Sequence, residues 1–358
     1  MILQICCNLA GSTVFPQLFE ALCASGVEQT VFVPEKRQED VGKNVPRGVQ
    51  TEYALTVKQL DTIFFFRKAQ RSVPEIEKRV DLKNVHLIHA HTLFTDGSIA
   101  RKLSKKTGIP YMVTLRYSDI EAIWRYMPHL RPMARAILRD AQHVVFLSEA
   151  AKAAVMENWL SGKDREKIKK KTAVIPNGID PAWLDGTPKA AASSPVRVGF
   201  AGKYNARKCP LDALEAVHKA GYVWKACGAG TLEDQLREKL REGDEMVGRV
   251  TGMEAMKAFY ADCDVLLVPS KAETFGMVYL EAMSQGVPVL YTRGQGFDGQ
   301  FPEGEVGFSV PCGDTAAQAE ALLKIAEEYP ARSRRCVEQA ERFAWPLVVE
   351  KWKALYGA

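Results

Sequence analysis

One stretch decides the fold: Ser270-Lys-Ala-Glu273-Thr-Phe275-Gly276-Met-Val-Tyr-Leu-Glu281-Ala-Met-Ser-Gln-Gly286. The preceding residues 264–268 form a short, branched apolar run that stops at a proline, which is typical of a buried parallel strand. The apolar spacing after Gly276 predicts a helix that ends at Gly286, a usual C-cap residue. A strand, a loop and a helix in this order predict an α/β fold, with Glu273 in the loop and Glu281 two turns along the helix.

The loop before this helix has a chemistry of its own. The free backbone N–H groups of residues 274–276 would lie at the positive end of the helix, where anions and sugar hydroxyls bind. The plainer alternative is an ordinary strand-to-helix turn that carries two surface glutamates.

The spacing Ser-x-x-Glu-x-Phe-Gly-x-x-x-x-Glu-Ala-Met-x-x-Gly-x-Pro-Val resembles the signature of retaining glycosyltransferase family 4, the glycosyl transferases group 1. The resemblance implies the GT-B architecture, in which two Rossmann-like α/β domains face a cleft. It also implies that the first glutamate and the following amides hold the donor sugar, and that the second glutamate holds the ribose. These donor-binding roles fall on Glu273, Phe275, Gly276, Met277, Val278 and Glu281.

The composition is that of a folded, water-soluble protein. With 358 residues, about two domains are expected. Apolar residues make up 47% and charged residues 25%, and no apolar run approaches the roughly 20 residues that span a bilayer. The first residues predict a strand rather than a signal peptide. Eight cysteines without metal-type spacing indicate reduced thiols in a cytosolic protein.

Alternating apolar runs and helical patterns predict two doubly wound parallel sheets. The proline-bounded linker at residues 185–195 separates them. We therefore expect one Rossmann-like domain at 1–185 and a second at 186–344, and the resemblance implies that the first binds the acceptor and the second the nucleotide-sugar donor. The resemblance implies that the C-terminal helix, 345–358, packs back on the first domain. The predicted strands are Leu3–Asn8, Gln29–Pro34, Val85–His91, Tyr111–Leu115, Val144–Ser148, Thr172–Pro176, Val196–Gly202, Val223–Gly228, Met246–Val250, Val265–Pro269, Val287–Tyr291 and Gly307–Val310.

Ligands bind such sheets beyond the carboxyl ends of the strands, so the loops there hold candidate residues. After the first strand, Gly11 permits a close approach of the backbone, and the resemblance makes it a donor-phosphate candidate. The family often has two glycines at this place, whereas this chain has one. His91 ends another strand and is either a packing residue or, by resemblance, part of the acceptor loop.

Residues 110–119 resemble the family's strand ending in Thr-x-His-Gly-x-Asp, with Arg116 in place of the histidine. Arg116 is always protonated, so it cannot act as a base, but it can clamp a phosphate. The alternative is a structural pair with Asp119. Arg116 and Asp119 are therefore predicted acceptor-binding residues, and Arg116 is also a catalytic candidate.

The first loop of the second domain, residues 202–208, sets three cations beside a glycine. This arrangement suits a nucleotide diphosphate. The family usually has an arginine and then a lysine, which here are Lys203 and Lys208. With Glu273 they are the catalytic candidates of this domain. Gly228 and Val250 end two further strands, and the resemblance implies that they lie near the nucleotide base.

From the resemblance, we predict that the chain is a retaining glycosyltransferase that uses a UDP- or GDP-sugar as substrate, with no cofactor. Departure of the diphosphate leaves negative charge that the lysines and the helix start would stabilise. Glu273 has no second carboxylate to form the pair that retaining glycosidases use. We expect no metal site, because no Asp-x-Asp or His/Asp cluster lies at a strand end. A sugar-nucleotide epimerase and a non-catalytic binding subunit are the rivals.

Charge is uneven along the chain. Residues 1–190 hold 28 Lys and Arg against 20 Asp and Glu, whereas the remainder holds 20 against 23. The excess lies at residues 67–71, 101–106, 131–139 and 163–171, and residues 60–66 set aromatics beside the first of these runs. These runs predict either solvated surface or peripheral contact with anionic membrane. We expect a glycan or lipid-linked acceptor, no nucleic acid, and a cytoplasmic enzyme that visits the inner face of a bacterial membrane in cell-surface polysaccharide synthesis.

Overall fold

The computed structural model describes residues 1–58, 61, 65–116 and 118–357. The chain forms two units. Unit 1 comprises Met1–Leu147, Ala151–Gly178 and Trp345–Ala358, and unit 2 comprises Ser148–Ala150 and Ile179–Ala344. The chain passes into unit 2 ahead of residue 185, because Ile179 donates its N–H to the Phe343 carbonyl over 2.8 Å and Gln285 donates to the Trp183 carbonyl over 2.8 Å.

Unit 1 is built on a seven-stranded parallel sheet in the order β3-β2-β1-β4-β5-β6-β7. The direction of winding changes between β1 and β4, which makes the sheet doubly wound. Its strands are β1 (Ile2–Ile5), β2 (Gln29–Pro34), β3 (Gln50–Ala54), β4 (Leu87–Ala90), β5 (Tyr111–Thr114), β6 (His143–Phe146) and β7 (Thr172–Val174).

Helices cover both faces of this sheet, so successive strand residues enter different cores. Leu3 packs in the core beside Ile76 and Ile99, whereas Ile2 packs in the core beside Phe19. The helices are α1 (Val14–Ala24), α2 (Phe66–Arg79), α3 (Thr95–Thr107), α4 (Trp124–Tyr126), α5 (Arg131–Asp140), α6 (Glu149–Asn158) and α7 (Gly162–Lys169). A π-helical segment spans Ser118–Ile123, and 3-10 turns span Gln38–Asp40, Leu82–Asn84 and Pro128–Leu130.

Unit 2 has a six-stranded parallel sheet in the order β10-β9-β8-β11-β12-β13. The strands are β8 (Arg197–Ala201), β9 (Val223–Cys227), β10 (Glu245–Gly248), β11 (Val265–Leu267), β12 (Val289–Thr292) and β13 (Gly307–Val310). The helices are α8 (Pro210–Lys219), α9 (Glu233–Arg237), α10 (Met253–Ala261), α11 (Met277–Ser284), α12 (Thr315–Glu327) and α13 (Tyr329–Ala340), with 3-10 turns at Pro181–Trp183 and Glu341–Phe343. The prediction of two parallel-sheet α/β domains is confirmed.

The last helix, α14 (Trp345–Tyr356), belongs to unit 1 and packs against α1. Its Trp345 donates an indole N–H to Gln17 Oε1 over 3.1 Å, and Tyr356 OH lies 2.8 Å from His89 Nδ1. A Cβ at Gly178 would lie 2.4 Å from the ring of Trp345, the first residue of this helix. The close approach therefore requires a glycine at position 178. Within the described residues, we find no helix with both the length and the apolar character to cross a membrane.

Candidate functional site

The centre of the site in unit 2 is an ion pair between Lys208 and Glu273. The Lys208 Nζ contacts a carboxylate oxygen of Glu273, and the two side chains are only 14% and 16% exposed. Lys208 comes from the loop between β8 and α8, and Glu273 from the loop between β11 and α11. Since β8 and β11 are neighbours in the parallel sheet, their carboxyl ends meet at one edge and bring the two loops together.

Glu273 is held in place by the loop of residues 294–299, for which the sequence predicted no role. Its backbone N–H donates to Gln295 Oε1 over 2.9 Å, and its carbonyl accepts the Gly296 N–H over 2.9 Å. A Cβ at Gly296 would lie 1.9 Å from the Thr274 carbonyl oxygen. The close approach of the two loops therefore requires a glycine there.

The turn after Glu273 opens α11 as the sequence predicts. Phe275 is buried, with its ring centroid 5.9 Å from those of Phe297 and Phe343. Gly276 has φ of +86° and is the N-cap residue. The N–H groups of Met277 and Val278 lie in the first turn of the helix, where no intrahelical acceptor exists, and no other acceptor among the described residues takes them. They are available to a ligand.

Glu281 lies in the second turn of α11 and has a different partner from Glu273. The Tyr260 hydroxyl, which is fully buried on α10, donates to Glu281 Oε2 over 2.9 Å. Burial raises the pKa of Glu281, and the Tyr260 hydrogen bond opposes that rise. The carboxylate is thus fixed in direction before any ligand arrives.

The loop that carries the lysines has a defined shape. Asn205 Oδ1 accepts the N–H groups of Arg207 and Lys208, each over 3.1 Å, which makes a tight Asx turn before α8. Lys203 lies on the other side of this turn and is exposed. Lys208 is therefore fixed by Glu273, whereas Lys203 forms no ion pair with a described residue and can reach a ligand.

Lys203 lines a cavity of about 390 Å³ at the carboxyl edge of the unit 2 sheet. The same cavity is lined by Gly228, Val250 and Val278, which the sequence placed with the donor. A Cβ at Gly228 would lie 1.9 Å from the Gly202 carbonyl oxygen, so only glycine lets these two strand ends approach. The structure brings these four residues to one cavity.

In unit 1, Arg116 is partly exposed and makes no ion pair with a described residue. Its Nη1 donates to Asn177 Oδ1 over 3.0 Å, its guanidinium carbon lies 4.6 Å from the Phe15 ring centroid, and its buried Nε has no partner. Burial lowers the pKa of Arg116 to about 10, so the side chain is a cation at neutral pH.

Asp119 is buried and accepts backbone N–H groups rather than the Arg116 guanidinium. The donors are Leu93 over 3.0 Å, Phe94 over 3.4 Å and Arg116 itself over 2.9 Å. Burial raises the pKa of Asp119 to about 6. Asp119 therefore organises the loops after β4 and β5, and its contact with an acceptor stays a prediction.

His91 lies in the interior of unit 1. Its Nε2 is 2.8 Å from Gln4 Oε1, its ring meets Phe15 and Phe19 edge-on, and it has no exposed surface. Burial lowers its pKa well below the usual value. These contacts are those of the packing residue that the sequence offered as one alternative, and they leave its acceptor contact a prediction.

Gly11 is exposed, and a Cβ there would have no heavy atom within 4 Å. The loop around it is held by Asn44, whose Nδ2 donates to the Ala10 carbonyl over 2.9 Å. Nothing in the loop itself requires a glycine at this position. Its proposed donor-phosphate contact stays a prediction.

The sequence analysis did not identify Gln295 and Tyr260, which position the predicted residues Glu273 and Glu281. Gln295 lies in a Gly-Gln-Gly segment after β12, and the paired glycines were the available signal for a close backbone approach. Tyr260 gave no signal, because an aromatic residue in an apolar helix is more often core.

Two family models match successive parts of the chain. The model described as Glycosyltransferase Family 4 matches residues 11–183, and the model described as Glycosyl transferases group 1 matches residues 188–343. Together they span nearly the whole sequence.

Curated relatives agree with these matches. An uncharacterized glycosyltransferase of Methanocaldococcus jannaschii is 23% identical over 285 residues, which are 77% of this chain and 76% of that protein. The D-inositol 3-phosphate glycosyltransferase of Stackebrandtia nassauensis is 28% identical over 306 residues, 76% of this chain and 68% of its own. The phosphatidyl-myo-inositol mannosyltransferase of Mycobacterium leprae is 32% identical over 197 residues, 51% of this chain and 52% of its own length, so about half of each is compared.

Solved structures share the fold over the full chain. Sucrose-phosphate synthase from Thermosynechococcus elongatus has a TM-score of 0.77 and 19% identity, covering 99% of this chain and 98% of that one. The Anabaena protein HepE, solved in complex with UDP, has a TM-score of 0.75 and 16% identity, covering 99% of both chains.

Proposed function

This chain belongs to the group 1 and family 4 glycosyltransferases and has their GT-B fold, and from that membership we propose that it moves a sugar from a nucleotide-sugar donor to a glycan or lipid-linked acceptor with retention of configuration. Unit 2 holds the donor and unit 1 holds the acceptor. UDP is the first nucleotide to test, since structural neighbours were solved with UDP and UDP-glucose.

One observation carries the proposal: the Lys208–Glu273 ion pair lies at the start of α11, whose Met277 and Val278 N–H groups have no acceptor among the described residues. A diphosphate here would receive charge from Lys208 and Lys203 and hydrogen bonds from the helix start. These groups stabilise the charge that develops as the diphosphate leaves. Glu273 would then turn to the sugar, and Glu281 would accept from the ribose hydroxyls.

Retention is proposed to occur on one face of the sugar, with the leaving phosphate assisting removal of the acceptor proton. Neither a cofactor nor a metal ion is part of the proposed reaction, because cationic side chains and amides supply the charge. Arg116 would act from the acceptor side by stabilising negative charge.

The experiment is a turnover screen with UDP- and GDP-sugars, with and without soluble and lipid-linked acceptors, in buffers containing either EDTA or magnesium. Transfer that survives EDTA, gives a product of unchanged anomeric configuration by NMR and is lost in Lys208→Ala is expected. A donor isomerised without acceptor would indicate an epimerase, and nucleotide binding without turnover would indicate a binding subunit. Activity that requires magnesium would overturn the metal-independent part.

We further propose a cytoplasmic enzyme with peripheral contact to anionic membrane, acting in bacterial cell-surface polysaccharide synthesis. The structure changes which cations could make that contact. Lys68 is buried, and Arg71 is paired with Asp61. Residues 59, 60 and 62–64 of the aromatic segment lie outside the described residues. The helix α7 instead presents exposed Lys163, Lys167 and Lys169, followed by Lys170, with no ion-pair partner among the described residues.

A further inference from the structure

A lysine side chain is buried in unit 1, near the start of α2. Lys68, on α2, is 7% exposed, and no carboxylate of a described residue lies within ion-pair distance of it. Its Nζ donates to Thr95 Oγ1 over 3.1 Å and lies 3.7 Å from the Phe65 ring centroid. The Asp96 and Asp61 carboxylates act on Lys68 from beyond ion-pair distance, but burial outweighs them and lowers its pKa. A buried lysine whose hydrogen bond goes to a hydroxyl can therefore receive an anionic ligand.

Arg116 repeats the pattern at a neighbouring strand end. Its guanidinium has a neutral amide and an aromatic ring as partners, and its Nε has no hydrogen-bond partner among the residues that the structure describes. The carboxylate that could have neutralised it, Asp119, is engaged by three backbone N–H groups. A guanidinium left this way is suited to receive an oxyanion, because its fork matches a phosphate.

Buried acceptors and a hydroxyl that have no hydrogen-bond partner among the described residues lie at the strand ends of the same sheet. Asp96 has no exposed surface, and its Oδ1 accepts the Cys7 N–H over 3.1 Å while its Oδ2 has no partner. Glu35 is 6% exposed with Oε1 unpartnered, and the Tyr53 hydroxyl is likewise unpartnered. Buried polar atoms are rarely left without a hydrogen bond, so each of these needs an explanation.

All of these groups lie at one place in the fold. Glu35 follows β2, Tyr53 is near the end of β3, Asp96 follows β4 in the first turn of α3, and Arg116 follows β5. Asp96, Arg116 and Glu35 all act on the pKa of the Cys6 thiol at the end of β1, which burial raises in the first place. Lys68 joins the group through Thr95, the residue before Asp96. This is the carboxyl edge of a doubly wound sheet, where ligands bind.

We propose that this edge of unit 1 binds a phosphorylated polyol as the acceptor, with Lys68 and Arg116 receiving the phosphate and Asp96, Glu35 and Tyr53 contacting the hydroxyls. The proposal rests on the proposed function and names its acceptor class. Two cations that form no ion pair with a described residue match a dianionic phosphate ester, and the carboxylates of Asp96 and Glu35 match hydroxyl donors. The flexible side chain of Lys68 would rotate away from Thr95 to reach the ligand. The ligand would enter beside the half-buried Cys7 and the exposed Asn8.

The phosphate could be carried by a free polyol phosphate or by the polyol headgroup of a phospholipid. The chemistry at the protein is the same, so two arms of the experiment separate the sources. In one, the full chain is titrated with inositol 1-phosphate, glucose 6-phosphate and inorganic phosphate, with inositol and glucose as unphosphorylated partners. In the other, it is titrated with phosphatidylcholine vesicles that contain an equal share of either phosphatidylinositol or phosphatidylserine, two lipids of the same net charge.

Calorimetry on the wild type is expected to show that at least one phosphorylated polyol binds tenfold or more tightly than its unphosphorylated partner. Lys68→Gln should lose at least tenfold of that affinity, and Lys68→Arg should retain most of it. The matched control is Lys102→Gln, an exposed lysine on α3, which should bind as the wild type does. A preference for phosphatidylinositol over phosphatidylserine vesicles, without binding of the soluble phosphates, would assign the lipid source.

UDP binding to the same samples separates the two proposals. Unchanged UDP affinity in Lys68→Gln shows that this variant is folded and that its donor site is intact. Three outcomes would overturn the acceptor class while leaving the proposed glycosyltransferase activity in place. They are equal binding of phosphorylated and unphosphorylated polyols, binding of neither together with no preference for phosphatidylinositol vesicles, and an undiminished preference in Lys68→Gln. A wild type that binds and turns over no nucleotide sugar would instead remove the proposed function.

Discussion

The Tyr260 hydroxyl donates a 2.9 Å hydrogen bond to Glu281 Oε2, and these residues lie on the neighbouring helices α10 and α11. The two glutamates of the motif are thereby held in different ways. Glu273 is fixed by a cation and by a loop, whereas Glu281 is fixed by a buried neutral hydroxyl. A ligand must therefore displace or share Lys208 to use Glu273, but it finds Glu281 already oriented.

Replacing Tyr260 by Phe should weaken donor binding. The Glu281 carboxylate would lose its partner in a largely buried position, which costs about 1 kcal/mol and corresponds to about fivefold in affinity. Titration calorimetry with UDP should show that loss, while the turnover number with saturating donor changes little. Tyr329→Phe is the matched control, because that buried hydroxyl has no partner among the described residues. Equal affinities in both variants would show that Tyr260 does not position Glu281.

Glu273→Gln and Glu281→Gln should differ in their kinetic effects. Glu273 is proposed to meet the sugar where charge develops, so its loss should lower the turnover number by about a hundredfold or more. Glu281 is proposed to meet the ribose, so its loss should mainly raise the KM for the donor. Steady-state kinetics with both substrates varied would separate the two. Wild-type kinetics in both variants would contradict the site assignment.

Gly296→Ala should destabilise the protein, since its Cβ would lie 1.9 Å from the Thr274 carbonyl oxygen. Relieving such a contact by backbone shifts costs about 1–3 kcal/mol. Chemical denaturation measures this loss. The comparison is the stability of Gly11→Ala, where a Cβ meets no heavy atom within 4 Å and should change the free energy of unfolding little. An unaltered midpoint in Gly296→Ala would mean that the two loops are not held together as described.

The stability of the protein should respond to pH through His89. Burial lowers its pKa to about 3, whereas an unfolded histidine titrates near 6.5. Between these values the unfolded chain takes up a proton that the folded chain does not, so stability falls as the pH falls. The contribution of His89 to the free energy of unfolding changes by about 1.4 kcal/mol per pH unit between pH 6 and 4. The raised pKa values of Asp96 and Asp119 act in the opposite direction, so variants must be compared.

His89→Gln should remove that contribution. Its free energy of unfolding, lower at every pH through the loss of contacts with Tyr356 and Thr114, should fall less steeply with acid than that of the wild type. His129→Gln is the control, because His129 is exposed. Parallel pH profiles for wild type and His89→Gln would show that the pKa of His89 is the same in the folded and unfolded states.

Binding to anionic vesicles should depend on α7. Each cation near an anionic surface contributes about 1 kcal/mol, so Lys163→Gln, Lys167→Gln and Lys170→Gln combined should reduce binding more than tenfold at low salt. Sedimentation with phosphatidylserine and neutral vesicles measures it. An equal charge change in unit 2, Lys239→Gln, Lys324→Gln and Arg334→Gln, controls for net charge, since these cations are also exposed. Equal partitioning with both vesicle types would contradict the proposed contact with anionic membrane.

The fold was largely predictable because its strands are apolar runs that stop at glycine, proline or polar loops. The exception in unit 1 is β3, Gln50–Ala54, whose sequence is mostly polar. It lies at the edge of the sheet and pairs only with β2, so it needs little apolar character. An edge strand of this kind is specified by its neighbour more than by its own residues.

The candidate site was predictable where the sequence sets several chemical groups in one motif, as in the loop and first helical turns of residues 273–281. It was not predictable where polar residues are buried by tertiary packing. Lys68 was expected on a charged surface, but α2 buries Lys68 and Ser72 on the same face as Val73 and Ile76. The periodicity of apolar residues alone does not show such a face. The sequence offered a structural pair of Arg116 and Asp119 as an alternative. The two residues do meet, but Asp119 accepts the backbone N–H of Arg116 rather than a hydrogen bond from its side chain.

The docking of α14 on unit 1 bears on how the protein folds during synthesis. Trp345, Trp352 and Tyr356 complete a core to which β1, β2, β4, β5, β6 and α1 also contribute, so unit 1 is closed by residues made after all of unit 2. While the chain is still on the ribosome, unit 2 can finish folding first, although unit 1 begins to emerge earlier. A nascent chain that stalls before residue 345 would leave the α1 face of unit 1 open to chaperones and proteases, so quality control can distinguish unfinished chains from finished ones at that face.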